Sequence, residues 1–213
     1  MDNLATYSIL CFTTLFTLMD PLGTMPLFLE MTREQTRQER RVIALKACTV
    51  TFFILVLFTL SGRYLFQFFG ISIDGFRIVG GVVIFKIGYD MLQAHFTHVK
   101  LNADEQKHYA NDITITPLAI PMLCGPGAIA SGITLMADAP DWISKTILIC
   151  IIGLVCAVSY LVLCASSQLL RVLGETGNNV LMRLMGLILM VIAVECFISG
   201  LRPLVVNILK TAM

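Results

Sequence analysis

Charge is scarce in this chain. Asp, Glu, Lys and Arg make up 14% of its 213 residues, where an ordinary soluble domain carries about 25%. With 57% hydrophobic residues and a mean hydropathy of +0.83, the chain is more apolar than a soluble core of this size requires, and a bilayer is the environment that fits. The net charge is only +1. No basic tail or basic patch interleaved with aromatics is present, which argues against nucleic acid as a partner. No CxxC pair occurs among the seven cysteines. Cys11, Cys48, Cys124, Cys150, Cys156, Cys164 and Cys196 all fall in apolar runs, where a thiol behaves as a small hydrophobe. The N-terminal MDNLATYSILCFTTLFTLMD lacks the positive flank and the small-residue cleavage site of a signal peptide, so it is expected to remain as the first membrane segment. Nor is there a nucleophile–base arrangement, a phosphate loop or an HExxH motif, so neither an enzyme nor a resident cofactor is expected. His95 and His98 have metal-compatible spacing with His108 nearby, but no fourth ligand completes a set, and no metal site is expected.

What the chain has is long apolar runs. About 20 residues at 1.5 Å each cross the hydrocarbon core, and six stretches qualify: Leu4–Leu29, Val42–Leu60, Gly75–Leu92, Ile113–Met136, Trp142–Cys164 and Val180–Leu201. The fold class expected is an all-α, polytopic membrane protein forming one domain over 1–213. Thr32 followed by Gln35 reads as a capping box ahead of the second helix. Asp141 reads as the N-cap of the fifth, with Trp142 at the interface. Ala94–Asp112 is polar and aperiodic and reads as a linker. Basic residues gather in the first loop (Arg33, Arg37, Arg40, Arg41), the third (Lys100, Lys107) and the fifth (Arg171). The positive-inside rule places these loops, and the 94–112 linker, in the cytoplasm and both termini outside.

The chain also resembles itself. Asp20-Pro21-Leu22-Gly23 in segment one matches Gly125-Pro126-Gly127 in segment four. Leu65–Gly70 (LFQFFG) matches Leu169–Gly174 (LLRVLG), and Phe76–Ile84 matches Met182–Met190, aligning Arg77 with Arg183 and Gly80 with Gly186. Pro21 lies 56 positions before Arg77, and Pro126 lies 57 before Arg183. The halves, 1–93 and 113–207, each hold three expected spans. Three is odd, so the second half enters from the opposite face, and inverted repeats of this kind are the plan of many secondary transporters. Channels can share it.

Both matched segments are broken. Proline inside a helix removes a donor and clashes with the carbonyl four residues back, and glycine relaxes the backbone further. Helix one holds Asp20-Pro21-Leu22-Gly23-Thr24-Met25-Pro26; helix four holds Pro117, Pro121 and Gly125-Pro126-Gly127. Unsatisfied backbone at membrane depth persists only inside protein or beside a wet cavity. Half-helices starting near Gly23 and Gly127 would present free amides and positive dipole ends to an anionic group. The candidate substrate-binding residues are therefore Asp20, Pro21, Gly23, Thr24, Gly125, Pro126, Gly127 and Ala128. Asp20 is an intramembrane carboxylate able to accept an ammonium group, Na⁺ or a proton, or simply to cap the half-helix after it. Thr24 offers a hydroxyl, or back-bonds within its own helix. Asp20 and Glu195 are the candidate coupling residues, with Na⁺ or H⁺ as the candidate ion. Asp74/Arg77 and Lys86/Asp90 have the spacing of local pairs, and Arg77 and Arg183 read as interface anchors.

Asp20–Pro26 (DPLGTMP), Gly70–Gly81 (GISIDGFRIVGG), Pro117–Ala130 (PLAIPMLCGPGAIA) and Val180–Glu195 resemble the MarC family of bacterial and archaeal membrane proteins, also described as SnatA-like neutral amino-acid transporters. The resemblance spans nearly the whole chain. It implies a prokaryotic cytoplasmic (inner) membrane and small zwitterions of glycine or alanine size as substrates. The family's first motif often begins with Asn, whereas this chain has Asp20, a departure that bears on ion coupling or substrate preference. The function expected is a secondary transporter of small neutral amino acids. The alternatives are a channel or exporter for another small metabolite, or a non-transporting membrane scaffold. A homo-oligomer is compatible with the sequence.

Overall fold

A computed structural model describes residues 2–33, 35–93 and 114–212. Within these, the side chains of 2, 3, 114–117, 167, 169–175, 178, 207, 208, 211 and 212 are left undescribed. The 94–112 linker, and with it His95, His98 and His108, lies outside the described residues.

The first apolar run forms two helices, α1 (Asp2–Met19) and α2 (Pro21–Met31), separated by the single residue Asp20. Two hydroxyls inside α1 are satisfied by their own backbone: Ser8 donates to the Leu4 carbonyl at 2.8 Å and Thr13 to that of Ile9 at 2.8 Å, which lets them sit at membrane depth. α2 ends where the Thr32 amide and hydroxyl both donate to the Phe28 carbonyl.

α3 (Arg37–Phe69) is longer at both ends than the expected Val42–Leu60. Its capping box is built by Thr36 and Glu39, not by Thr32 and Gln35: the Glu39 carboxylate accepts from the Thr36 amide at 2.8 Å, and the Thr36 hydroxyl oxygen accepts from the Glu39 amide at 3.3 Å. Thr32 instead closes α2, because its hydroxyl is consumed by the preceding turn. Gly70 ends α3 at φ 65°, a left-handed conformation that favours glycine.

α4 (Ile73–Gln93) is started by Ser72, whose hydroxyl oxygen accepts from the Gly75 amide at 2.9 Å. The fourth expected span is divided into a π-helical segment (Thr114–Leu123) and α5 (Pro126–Asp138). Pro117 and Pro121 remove amides from the ordinary ladder, and the wide bonding continues to the Cys124 amide, which donates to the Ala119 carbonyl at 2.8 Å.

Helical backbone then runs from Trp142 to Ala212 as α6. The polar stretch expected to be a loop between Cys164 and Val180 is helical. It contains no proline, and most of its residues are tolerated in helices. Asp141 caps α6, accepting from the Ser144 amide at 2.7 Å. Trp142 is exposed, with the Lys145 ammonium 4.9 Å from the centre of its ring. α6 is not straight. Val155 and Cys156 share a core with Cys124 and Ala128, while the Cys196 sulfur lies 3.8 Å from the Cβ position of Gly127. Forty residues of straight helix would separate these contacts by about 60 Å, so the chain turns back between them.

Three apolar cores join the elements. One unites α1, α3, α5 and the first part of α6, a second joins Phe28 to α3 and the π segment, and a third joins Leu27, Met91, Met122, Met182 and Leu189. The second part of α6 runs antiparallel to α4, with Gly81 against the Ala193 carbonyl and Gly200 against that of Asp74. Small residues allow this close approach, as in other membrane helix pairs. Large apolar side chains such as Phe53, Phe68, Val79 and Leu161 face outward. None of the seven cysteines is joined in a disulfide.

Among the described residues, four stretches are long and apolar enough to span: Leu4–Met31, Arg37–Phe69, Trp142–Ser166 and Asn179–Val206. α4 falls outside this group because Asp74, Arg77, Lys86 and Asp90 interrupt it, and the π segment and α5 are each too short alone. The molecule is an all-α, polytopic membrane protein.

Candidate functional site

The two motif breaks are equivalent helix starts. Asp20 is the N-cap of α2 with Pro21 as its first residue, and Gly125 is the N-cap of α5 with Pro126 as its first residue. Proline suits that position because the amide it lacks would be unpaired anyway. The helices therefore begin at Pro21 and Pro126, slightly before the expected Gly23 and Gly127.

The two caps differ. Asp20 adopts φ 38°, ψ 63°, a left-handed conformation that Asp tolerates better than most residues. Its Oδ1 accepts from the Gly23 amide at 3.0 Å, while Oδ2 is buried without a hydrogen-bond partner. The capping role is thus real and occupies half of the carboxylate. Gly23 is required here, because a Cβ would collide with the Asp20 carboxylate. Thr24 is buried and back-bonds, its hydroxyl donating to the Asp20 carbonyl at 3.0 Å.

Gly125 has an extended backbone and no capping side chain. The first α5 bond runs from the Ile129 amide to the Gly125 carbonyl at 3.0 Å. The Gly127 and Ala128 amides precede it and have no partner among the described residues. These are the donors that a helix N-terminus leaves open to an anion.

The breaks meet. A Cβ on Gly127 would stand 3.3 Å from the Leu18 side chain, two residues before Asp20. Met19, Cys124 and Ala128 share one core. Pro126 lies directly on Gly80 of α4, with no room for a side chain there. Pro21, Gly23, Thr24 and Gly125 through Ala130 are all buried. The Pro-Gly stretches face protein, not lipid.

Two buried hydroxyls of α3, the helix packed against α5, were not singled out in the sequence. Thr51 and Thr59 of α3 are buried, and neither Oγ1 has a hydrogen-bond partner. Thr59 Oγ1 lies 2.5 Å from the Cβ position of Gly132 on α5. Thr51 sits one turn from Cys48, in the core with Ala119 and Leu123, and one turn from Leu55, in the core with Cys124 and Ala128. That register sets it level with the start of α5. Leaving a buried polar group unpaired costs about 1–3 kcal/mol. Polar residues at apolar helical positions of α3 were the available signal, but threonine usually satisfies itself by back-bonding.

Glu195 is exposed on the outward face of α6 and does not join the breaks; its neighbour Cys196 does, donating its thiol to the Arg77 carbonyl at 3.5 Å. Arg77 pairs with Asp74 at 4.0 Å on α4, and Arg183 is exposed. Among the described residues, no three His, Cys, Asp or Glu side chains gather where they could hold a metal ion.

Relatives of the chain come from bacteria and archaea. It is 40% identical over 194 residues to the UPF0056 membrane protein YvbG of Bacillus subtilis, covering 90% of this chain and 92% of that protein. With the UPF0056 membrane protein MJ1677 of Methanocaldococcus jannaschii it shares 35% identity over 198 residues, 92% of this chain and 96% of the relative. A UPF0056 membrane protein of Aquifex aeolicus is 34% identical over 206 residues, 96% of each. No solved structure matches the chain. The sequence model of the MarC family integral membrane proteins matches residues 5–205. The chain belongs to the MarC family of multi-pass integral membrane proteins.

Proposed function

We propose that the protein is a secondary transporter of small neutral amino acids, working by alternating access about the junction of its two helix starts. The observation that carries this reading is a set of polar groups without partners on the two broken helices and on the helix packed against them: the Gly127 and Ala128 amides, Asp20 Oδ2, Thr51 Oγ1 and Thr59 Oγ1. A zwitterion supplies both complements. Its carboxylate meets the positive end of α5 and its ammonium meets Asp20. Glycine and alanine suit a junction floored by Gly23 and Gly127. Asp20, bare on one oxygen, is the residue through which Na⁺ or H⁺ couples, and the exposure of Glu195 leaves it a weaker candidate. The groups perform no covalent chemistry in this reading, which is of a carrier, not an enzyme.

Two further features support the inverted plan of six spans. The matched motifs start helices in the same way, and α4 pairs antiparallel with the second part of α6, its counterpart if the halves are repeats. Close packing around the junction corresponds to a closed conformation, which opens to one side at a time as the halves rock. The basic loops lie in the cytoplasm and both termini outside, by the positive-inside rule.

Counterflow of labelled alanine in proteoliposomes tests this. A carrier accumulates label transiently against unlabelled alanine inside. Downhill flux without counterflow means a channel, and no flux from folded protein means a scaffold.

A further inference from the structure

Away from the junction, the start of α3 carries Arg37, Arg40 and Arg41, a spacing of i, i+3 and i+4 that puts them on one helical face. With Phe28 and the Leu163–Gln168 region of α6 they line a cavity of about 50 Å³, several times the roughly 10–15 Å³ one water needs. Among the described residues, no acidic side chain lines it. The nearby Glu39 carboxylate is engaged by the amide and hydroxyl of Thr36, each at 2.8 Å.

Arg40 is held in place. Its Nε donates to the Thr32 carbonyl at 2.9 Å and its terminal nitrogen to that of Arg33 at 2.8 Å. Arg37 and Arg41 have no acceptor among the described residues. Three like charges converging on one concavity repel one another, and an anion is what offsets that repulsion. The surroundings are those of a membrane edge: Phe28 and Leu163 are buried at the cavity, while Val42, beside Arg41, and Leu45, one turn beyond it on α3, are exposed and apolar.

We propose that this cavity binds the phosphoryl group of an anionic phospholipid, with Arg37 and Arg41 on the phosphate oxygens and an acyl chain along Val42 and Leu45. Guanidinium groups match phosphate geometry through paired donors, and basic pockets between membrane helices are suited to acidic headgroups. Arg40 is a positioning residue that fixes the turn between α2 and α3. The site is independent of the transport reading, because binding is measured without flux.

The test is native mass spectrometry and thermal unfolding of the full chain with phosphatidylglycerol, phosphatidylcholine or inorganic phosphate. Phosphatidylglycerol is expected to remain bound and raise the unfolding temperature, with phosphatidylcholine and inorganic phosphate having little effect. Arg37→Gln/Arg41→Gln should weaken phosphatidylglycerol at least tenfold, whereas Arg63→Gln, at the other end of α3, should not. Arg37→Lys/Arg41→Lys keeps the charge and should lie between, which guards against a folding defect in the Gln variant. Equal retention of both lipids, an equal loss in Arg63→Gln, or stabilisation by inorganic phosphate matching that by phosphatidylglycerol would overturn the assignment.

Discussion

Gly88 of α4 and Gly186 of α6 lie backbone to backbone, so that a Cβ on either would stand 2.7 Å from the other's carbonyl oxygen. Neither helix can retreat without opening the rest of the seam, where Gly81 and Gly200 make equally close approaches. A side chain here must separate the helices. Gly88→Leu and Gly186→Leu are each expected to destabilise the protein by about 1–3 kcal/mol, the usual range for overpacking. A fall in the thermal midpoint in detergent checks this, with Gly70→Ala for comparison. Gly70 has open space around it and only its left-handed φ to lose.

Asp20 combines a cap with a bare oxygen, and two substitutions separate these roles. Asp20→Asn keeps an oxygen for the Gly23 amide and removes the charge; Asn is as good an N-cap as Asp. It should fold and insert normally while alanine counterflow falls or loses its dependence on pH or Na⁺. Asp20→Ala loses the cap as well and should cost about 1 kcal/mol in stability. Unchanged kinetics for Asp20→Asn across pH and Na⁺ would remove the carboxylate from the mechanism.

Gly23 and Gly127 look alike in sequence and differ in space. Gly23→Ala drives its Cβ into the Asp20 carboxylate and should cost stability by dislodging the cap. Gly127→Ala meets the flexible end of Leu18 at 3.3 Å and the Cys196 sulfur at an ordinary contact distance of 3.8 Å, so its stability should stay within about 0.5 kcal/mol of wild type. Gly127→Leu should fill the junction and abolish uptake while the protein still reaches the membrane. Uptake assays beside expression levels measure both.

Thr51→Val and Thr59→Val remove unpartnered hydroxyls with little change of shape. A hydroxyl that merely packs is a burden in an apolar core, so stability should hold or rise. If the hydroxyls line the route of a polar solute, alanine counterflow should drop several-fold in the same variants. Stability and transport moving in opposite directions is the expected signature, read from unfolding curves and initial rates.

The placement of the motifs shows how far local chemistry reaches. Asp20-Pro21 and Gly125-Pro126 are legible as breaks because proline lacks the amide that the interior of a helix needs and suits its first turn. Thr36 and Glu39 form the same capping pattern as the expected Thr32 and Gln35; the choice depended on which threonine the previous helix had already engaged, and that is a matter of three-dimensional register. Glu195, like Asp20, is a carboxylate inside an apolar run and on that ground alone a weaker coupling candidate. Glu195 faces outward while the Asp20 carboxylate is tucked against the start of α2, because the rotation of a helix about its axis is set by what it packs against.

Composition and apolar runs alone determined that this is a helical membrane protein with two breaks near matching motifs, since burial in hydrocarbon and proline stereochemistry act within a few turns of chain. Tertiary packing alone decided that the breaks lie against each other, that Thr51 and Thr59 are buried without partners on α3, and that α6 folds back on itself. These depend on contacts between residues distant in sequence, such as Leu18 with Gly127 and Gly88 with Gly186, where the fit of one backbone against another is decided by the neighbour and not by the residue itself.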